Sequence, residues 1–142
     1  MASFDLDHFK EVNDTHGHPA GDHVLQVFGA LLDSHVRDRD VVARTGGEEF
    51  GMVMPGSGTG FVLERARAVV QAFAAMDIQM GGQVLRCSVS AGVAERGPWH
   101  LDPAHLCRDA DAALYRAKEA GRNQAVLRRS DPASVRVDAT AG

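Results

Sequence analysis

The chain has 142 residues, enough for one compact domain and too few for two. With 44% hydrophobic and 24% charged residues it can bury a core of its own, so neither a disulfide framework nor a structural metal is required. A net charge of −4 argues against a general nucleic-acid binder or a ligand of acidic membranes, and leaves polyphosphate binding only to a local cluster of cations and metal.

No apolar run approaches the roughly 20 residues of a membrane span, and no charged-then-apolar leader opens the chain. The sequence reads as cytoplasmic. Cys87 and Cys107 sit in apolar periodic segments and read as small buried hydrophobes in a reducing compartment.

The first element is a short strand over Met1–Leu6, with Phe4 and Leu6 on one face and Asp5 and Asp7 on the other. A short helix over His8–Asp14 is broken by Thr15-His16-Gly17-His18-Pro19. A second helix spans about Ala20–Val36, where Val24, Val27, Phe28, Leu31 and Leu32 form one stripe. Val41–Arg44 and Phe50–Met54 then flank Gly46-Gly47 and predict a hairpin whose glycines supply positive φ.

A third helix, about Thr59–Met76, turns Val62, Ala66, Val69, Val70 and Phe73 inward. Gly81-Gly82 opens a hairpin-like turn into one strand over Val84–Val93, with Leu85, Cys87, Val89 and Ala91 alternating with Arg86, Ser88 and Ser90. Asp102-Pro103 starts a helix that carries Leu106, Ala110, Ala113, Leu114 and Ala117 inward and stops at Gly121. A last strand covers about Gln124–Leu127. The domain is expected to end near residue 129, with a disordered tail over 130–142. This order fits an α+β fold with a ferredoxin-like or palm-like, mostly antiparallel sheet flanked by helices.

Gly46-Gly47-Glu48-Glu49-Phe50 carries the chemistry. Adjacent carboxylates past a tight turn repel one another unless a cation sits beside them. Taken alone, they also fit a solvated hairpin tip. Asp5 adds a second acidic position on a strand that a neighbouring hairpin can reach. Mg²⁺ prefers hard oxygen ligands, usually one or two carboxylates completed by phosphates and water. A strand carboxylate plus a hairpin carboxylate is a layout used in phosphoryl transfer.

Phe4-Asp5-Leu6-Asp7-His8-Phe9-Lys10, with Asn13-Asp14, Gly17-His18 and Gly21-Asp22, resembles the first half of the GGDEF family. Gly46–Phe50 resembles that family's naming motif in its Glu variant. Ala110-Asp111, Ala113-Leu114-Tyr115, Ala117-Lys118 and Gly121-Arg122-Asn123 resemble its closing half. The resemblance covers roughly residues 4–127 and implies the fold of nucleotidyl cyclase catalytic domains. It also implies diguanylate cyclase activity: two GTP condensed to cyclic di-GMP with release of two pyrophosphates, by a homodimer. Mg²⁺ is the implied cofactor, or Mn²⁺ in its place.

The implied metal ligands are Asp5, Glu48 and the Leu6 carbonyl, with Glu48 also the base for the 3′-hydroxyl. Glu49 is implied to support the metal site, or is an exposed strand charge. Asn13 and Asp22 resemble the guanine readers, and a carboxylate does accept paired N–H donors from guanine that adenine lacks. Lys10, Lys118 and Arg122 resemble the triphosphate cations, with Lys118 and Arg122 expected on one helix face. His18 is implied to touch nucleotide, while His16 and His18 lack the further ligands a zinc site needs.

Arg37 and Asp40 match the family's RxxD site, where cyclic di-GMP would bind as feedback inhibitor. A catalytically silent receptor for cyclic di-GMP or GTP is the alternative reading. Members of the family normally begin further upstream, with an acidic residue, Leu-Thr-Gly-Leu and Asn-Arg. The expectation is therefore a domain lacking its usual first segment.

Overall fold

The computed structural model describes residues 1–97, His100 and residues 102–128; the expected tail over 130–142 lies outside them. In chain order the elements are β1 (Ala2–Leu6), α1 (Phe9–His16), α2 (His18–Asp33), β2 (Val41–Arg44) and β3 (Glu49–Val53). Then come α3 (Thr59–Ala75), β4 (Ile78–Met80), β5 (Gln83–Leu85), β6 (Val89–Val93), α4 (Pro103–Glu119) and β7 (Ala125–Leu127). The main sheet runs β2-β3-β1-β6-β7, antiparallel except for the β6–β7 pair. The fold is the α+β arrangement that the pattern predicts.

Period-2 alternation gives this sheet two unlike faces. Phe4 pairs with Phe50 and Ala91, and Ala2 with Met52 and Val93, so one face is apolar throughout. Phe28 of α2 fills its centre with no exposure, its ring 5.8 Å from Phe4, 4.9 Å from Phe50 and 5.1 Å from Phe73 of α3. Such tilted and edge contacts suit the ring quadrupoles. On the opposite face Ser3 pairs with Gly51 and Gly92, and Asp5 with Ser90. These small residues let α4 lie close, and its buried positions are Ala110, Ala113, Leu114 and Ala117. Asp102 caps this helix as expected, accepting from His105 N–H at 3.1 Å, with Pro103 in the first turn.

Several expectations are corrected. Gly46 and Gly47 are not in the left-handed region. The loop between β2 and β3 spans residues 45–48, and the Thr45 and Gly46 amides both bond the Glu49 carbonyl, so no primed two-residue turn is needed. The strand expected over Val84–Val93 is two strands. β5 pairs with β4, which the sequence pattern did not signal, in a separate two-stranded sheet. The chain then breaks at residues 86–88, where the Ser88 carbonyl accepts from Asp7 N–H at 2.9 Å.

Helix α1 continues to His16 and α2 begins at His18, so the expected break shrinks to Gly17, and α2 ends at Asp33. Val27, Leu31 and Leu106 are half-buried rather than core, as are both cysteines, which are free. Among the described residues no helix is long and apolar enough to cross a membrane.

Helix α4 lies tight against the sheet at Gly92, where a Cβ would overlap the Ala110 carbonyl and the Leu114 backbone. Gly92→Ala is expected to lower stability by about 3 kcal/mol, measured by urea denaturation. A loss below about 1 kcal/mol would show that α4 can move off the sheet without penalty.

Candidate active site

The site grows from one buried carboxylate. Asp7, 4% exposed at the end of β1, receives Ser88 Oγ, Ser90 Oγ and Lys118 Nζ, each at 2.7 Å, and the Asn123 backbone N–H at 3.1 Å. Burial alone would push this carboxyl up, but the bonds from Lys118, Ser88 and Ser90 outweigh it and hold it below the usual range. Ser90, expected to face outward, is fully buried because this carboxylate needs its hydroxyl.

The chain reaches Asp7 from the far side through a reversed backbone. Gly121 has φ +114, Arg122 +65 and Asn123 +51, which brings the Asn123 amide back to the sheet. Lys118 and Arg122 therefore do not share a helix face, since α4 ends at Glu119 and Arg122 lies exposed beyond it.

Lys118 links this node to the acidic strand ends. Its ammonium also contacts Asp5 Oδ1 at 3.1 Å and the Asp5 carbonyl at 3.2 Å. Across the sheet, Asp5 pairs with Glu49, and the Glu48 carbonyl accepts from Leu6 N–H at 3.1 Å. Residues Asp5, Leu6, Glu48 and Glu49 thus meet where β1 and β3 lie side by side. Partial desolvation, then the charges of Asp5, Asp111 and Glu48, push the Glu49 carboxyl up.

Among the described residues no three His, Cys, Asp or Glu side chains can hold a metal ion alone. Mg²⁺ seldom uses an all-protein cage; one or two carboxylates with substrate phosphates suffice. The crowded acids beside Asp5 fit that requirement, being hard donors whose mutual repulsion a cation would relieve.

On the α1–α2 side, Asn13 Oδ1 is buried and has no hydrogen-bond partner among the described residues. The carboxamide lies against Gly21, where any Cβ would overlap it. A side chain at position 21, next to Asp22, would displace the Asn13 carboxamide. Asp22 itself is exposed and lines an open cleft of about 460 Å³ with Leu25, Gln26, Arg44 and Phe50. Lys10 in the first turn of α1 and His18 in the first turn of α2 are also exposed.

Arg37 and Asp40 lie outside this site. They precede β2, whose four residues separate them from the acidic turn by about 13 Å. Arg37 forks onto Asp40 at 2.9 and 3.0 Å, bonds Ser57 Oγ at 2.6 Å and stacks over Phe61. Those bonds hold the Asp40 carboxyl below its usual range.

Sequence reasoning passed over Asp7, Ser88 and Ser90, although Asp7 shares a strand face with Asp5. It also missed Arg44, whose guanidinium bonds the Gly46 and Gly47 carbonyls.

Fold and acidic strand ends together define an α+β domain of the palm-like class. The chain belongs to the GGDEF family: residues 1–124 match the family described as diguanylate cyclase, GGDEF domain. It is 39% identical over 132 residues to the probable diguanylate cyclase DgcT of Escherichia coli, covering 87% of this chain and 28% of that protein. It is 41% identical over 127 residues to the diguanylate cyclase DgcP of Pseudomonas aeruginosa, covering 87% and 18%. The chain thus spans less than a third of these curated relatives.

Among solved structures, the GGDEF domain of DgcB from Caulobacter crescentus in complex with c-di-GMP superposes with a TM-score of 0.87. Identity is 32%, over 91% of this chain and 77% of that one. The active GGEEF domain of a diguanylate cyclase from Vibrio cholerae gives 0.85 at 33% identity, over 92% and 82%.

Two stability measurements check this geometry. Asp7→Ala is expected to cost about 3 kcal/mol at neutral pH, because it removes one of the two carboxylates that hold Lys118 and unpairs the buried Ser90 hydroxyl and the half-buried Ser88 hydroxyl. The folded carboxyl titrates below its unfolded value, so its stabilisation is complete above the ordinary aspartate pKa of about 3.9 and disappears as pH falls through the folded value. The gap between wild type and variant should therefore close in acid. Glu49→Gln has the opposite sign, since a raised carboxyl is disfavoured as an anion. Without divalent cation or nucleotide its melting temperature should rise by about 2 °C; a fall would contradict the crowding of acids.

Proposed function

We propose that this chain is the catalytic domain of a diguanylate cyclase, condensing two GTP into cyclic di-GMP with release of two pyrophosphates. The observation that carries this reading is the meeting of Asp5, Glu48 and Glu49 at adjacent strand ends, with Lys118 laid on Asp5. A hard divalent cation, Mg²⁺ or Mn²⁺, held there by Asp5, Glu48 and the Leu6 carbonyl would offset triphosphate charge and acidify a nearby hydroxyl.

Asn13 and Asp22 read the guanine edge. The unpartnered Asn13 Oδ1 supports this, because a buried acceptor needs a donor and guanine carries N–H groups. Lys10, Lys118 and Arg122 neutralise the triphosphate, and His18 borders the nucleotide. Glu48 takes the proton of the 3′-hydroxyl as its oxygen bonds the α-phosphorus of the second GTP and the bond to pyrophosphate breaks. Glu49 supports the metal site beside Asp5 and Glu48. One domain holds one GTP, so the ring closes only when two copies meet about a two-fold axis. Cyclic di-GMP returns to Arg37 and Asp40 as inhibitor; the partly exposed guanidinium supports this, since it already forks to a carboxylate and stacks on a ring.

Purified protein incubated with GTP and Mg²⁺ should form cyclic di-GMP and pyrophosphate, followed by chromatography. Glu48→Ala should reduce the rate by about 10³-fold. A folded sample that binds GTP at high protein concentration without forming product would sink the catalytic reading and leave a receptor domain.

A further inference from the structure

Asp5 and Asp7 hold the same lysine and are otherwise unlike. Asp7 has two donors on each oxygen: Ser90 Oγ and Lys118 Nζ on Oδ1, Ser88 Oγ and the Asn123 N–H on Oδ2. That fills the acceptor capacity of a carboxylate, and the side chain is almost wholly shielded, so it has no oxygen to offer an ion. Asp5 gives Lys118 only Oδ1 and its carbonyl, at 3.1 and 3.2 Å. Its Oδ2 has no donor among the described residues.

A divalent cation on Asp5 competes with Lys118 for that carboxylate. An ammonium on a flexible four-carbon stem then spreads over many rotamers unless a second anchor holds it. Asp7 is such an anchor, at 2.7 Å.

The same carboxylate reaches a second cation through the backbone. Helix α4 ends in a Schellman turn, in which Arg122 N–H donates to Ala117 O at 2.9 Å and Gly121 N–H to Lys118 O at 3.4 Å. Glycine meets the left-handed requirement at 121 alone. Arg122 and Asn123 follow at φ +65 and +51, costly conformations that persist only where the surroundings hold them. The hold is on the Asn123 N–H, which donates to Asp7 Oδ2 at 3.1 Å and to Ser90 Oγ at 3.2 Å.

We propose that Asp7 is a positioning residue for triphosphate. It keeps the Lys118 ammonium in place once Asp5 has turned to a divalent cation, and it fixes the reversed backbone that carries Arg122. The proposal rests on the nucleotide chemistry proposed above.

Its test compares wild type and Asp7→Asn, in Mg²⁺, for affinity towards GMP and towards a GTP analogue that cannot be cleaved between its α- and β-phosphates. Asparagine keeps the shape of the side chain but turns one acceptor into a donor. Coulomb's law alone says that removing a negative charge beside two cations tightens polyphosphate binding. Positioning predicts the reverse: analogue affinity should fall about tenfold, with GMP affinity within about twofold of wild type. In a Lys118→Ala background the same change should cost less than about threefold, because Asp7 acts mainly through that side chain. Phe73→Leu, which loosens the ring cluster on the opposite face of the sheet, should bind both probes as wild type does.

A measurement on wild type covers the case in which Asp7→Asn does not fold. The Arg122 and Asn123 amide resonances should shift during titration with the analogue and stay still with GMP. Unchanged or tighter analogue binding by folded Asp7→Asn, an equal loss for GMP, or amides unmoved by the analogue would overturn the proposal. If these binding results hold and wild type makes no product from GTP, the cyclase reading fails and the role of Asp7 stands.

Discussion

Burying a carboxylate beside a sheet is costly unless its oxygens are bonded, and Asp7 meets that condition with four donors from three separate parts of the chain. The hydroxyls come from the start of β6, the ammonium from the last turn of α4, and the amide from the reversed backbone that follows. One side chain thereby fixes where β1 ends, where β6 begins and where α4 stops. The same ammonium then reaches Asp5, two residues back on the same face. Structural node and candidate site share a cation, so the position of Asp5 relative to α4 is set by the fold and not by a ligand.

The two faces of the sheet divide the work. Ring packing around Phe28 holds α2 and α3 on the apolar face, where loss of volume would open a cavity. The other face uses small residues, Ser3 and Gly92 among them, and lets α4 settle almost onto the strand backbones. A bulkier face would lift α4 and carry Lys118 away from Asp5 and Asp7. The alanines of α4 read as plain helix core, yet their small size is what places Lys118 beside Asp5 and Asp7.

Much of this was legible because it is local. The inward stripe of α3 is Val62, Ala66, Val69, Val70 and Phe73, as periodicity predicts, and the Asp102 cap follows from residue types three apart. What was not legible depends on distant partners. Alternation runs unbroken from Leu85 to Ala91, but the strand divides because Ser88 bonds Asp7, 81 positions away. Ser90 looks like an outward polar residue and is buried for the same reason. The diglycine suggested a primed turn; its length and the Arg44 bonds give another geometry. Of the candidate site residues, Asp5, Glu48 and Glu49 lie at adjacent strand ends with Lys118 on Asp5, and the Asn13 carboxamide lies against Gly21. Lys10, His18 and Arg122 are exposed, and Arg37 with Asp40 stands apart.

The net charge of −4 bears on how such a domain handles triphosphate. Lys118 has three donors, and all three are committed: two to Asp5 and one to Asp7. The Asp7 bond is shorter, at 2.7 Å, and its carboxylate is almost wholly shielded, whereas Asp5 lies at 3.1 and 3.2 Å and keeps about a fifth of its side chain exposed. An incoming anion therefore competes for the Asp5 side of the ammonium, where water already weakens the interaction. Releasing that side leaves Asp5 without its cation, next to Glu48 and Glu49. On the proposed function, the acids would favour nucleotide arriving together with positive charge over a bare polyphosphate. Selectivity of that kind comes from crowding carboxylates beside a single shared lysine, which a strongly basic pocket would not provide.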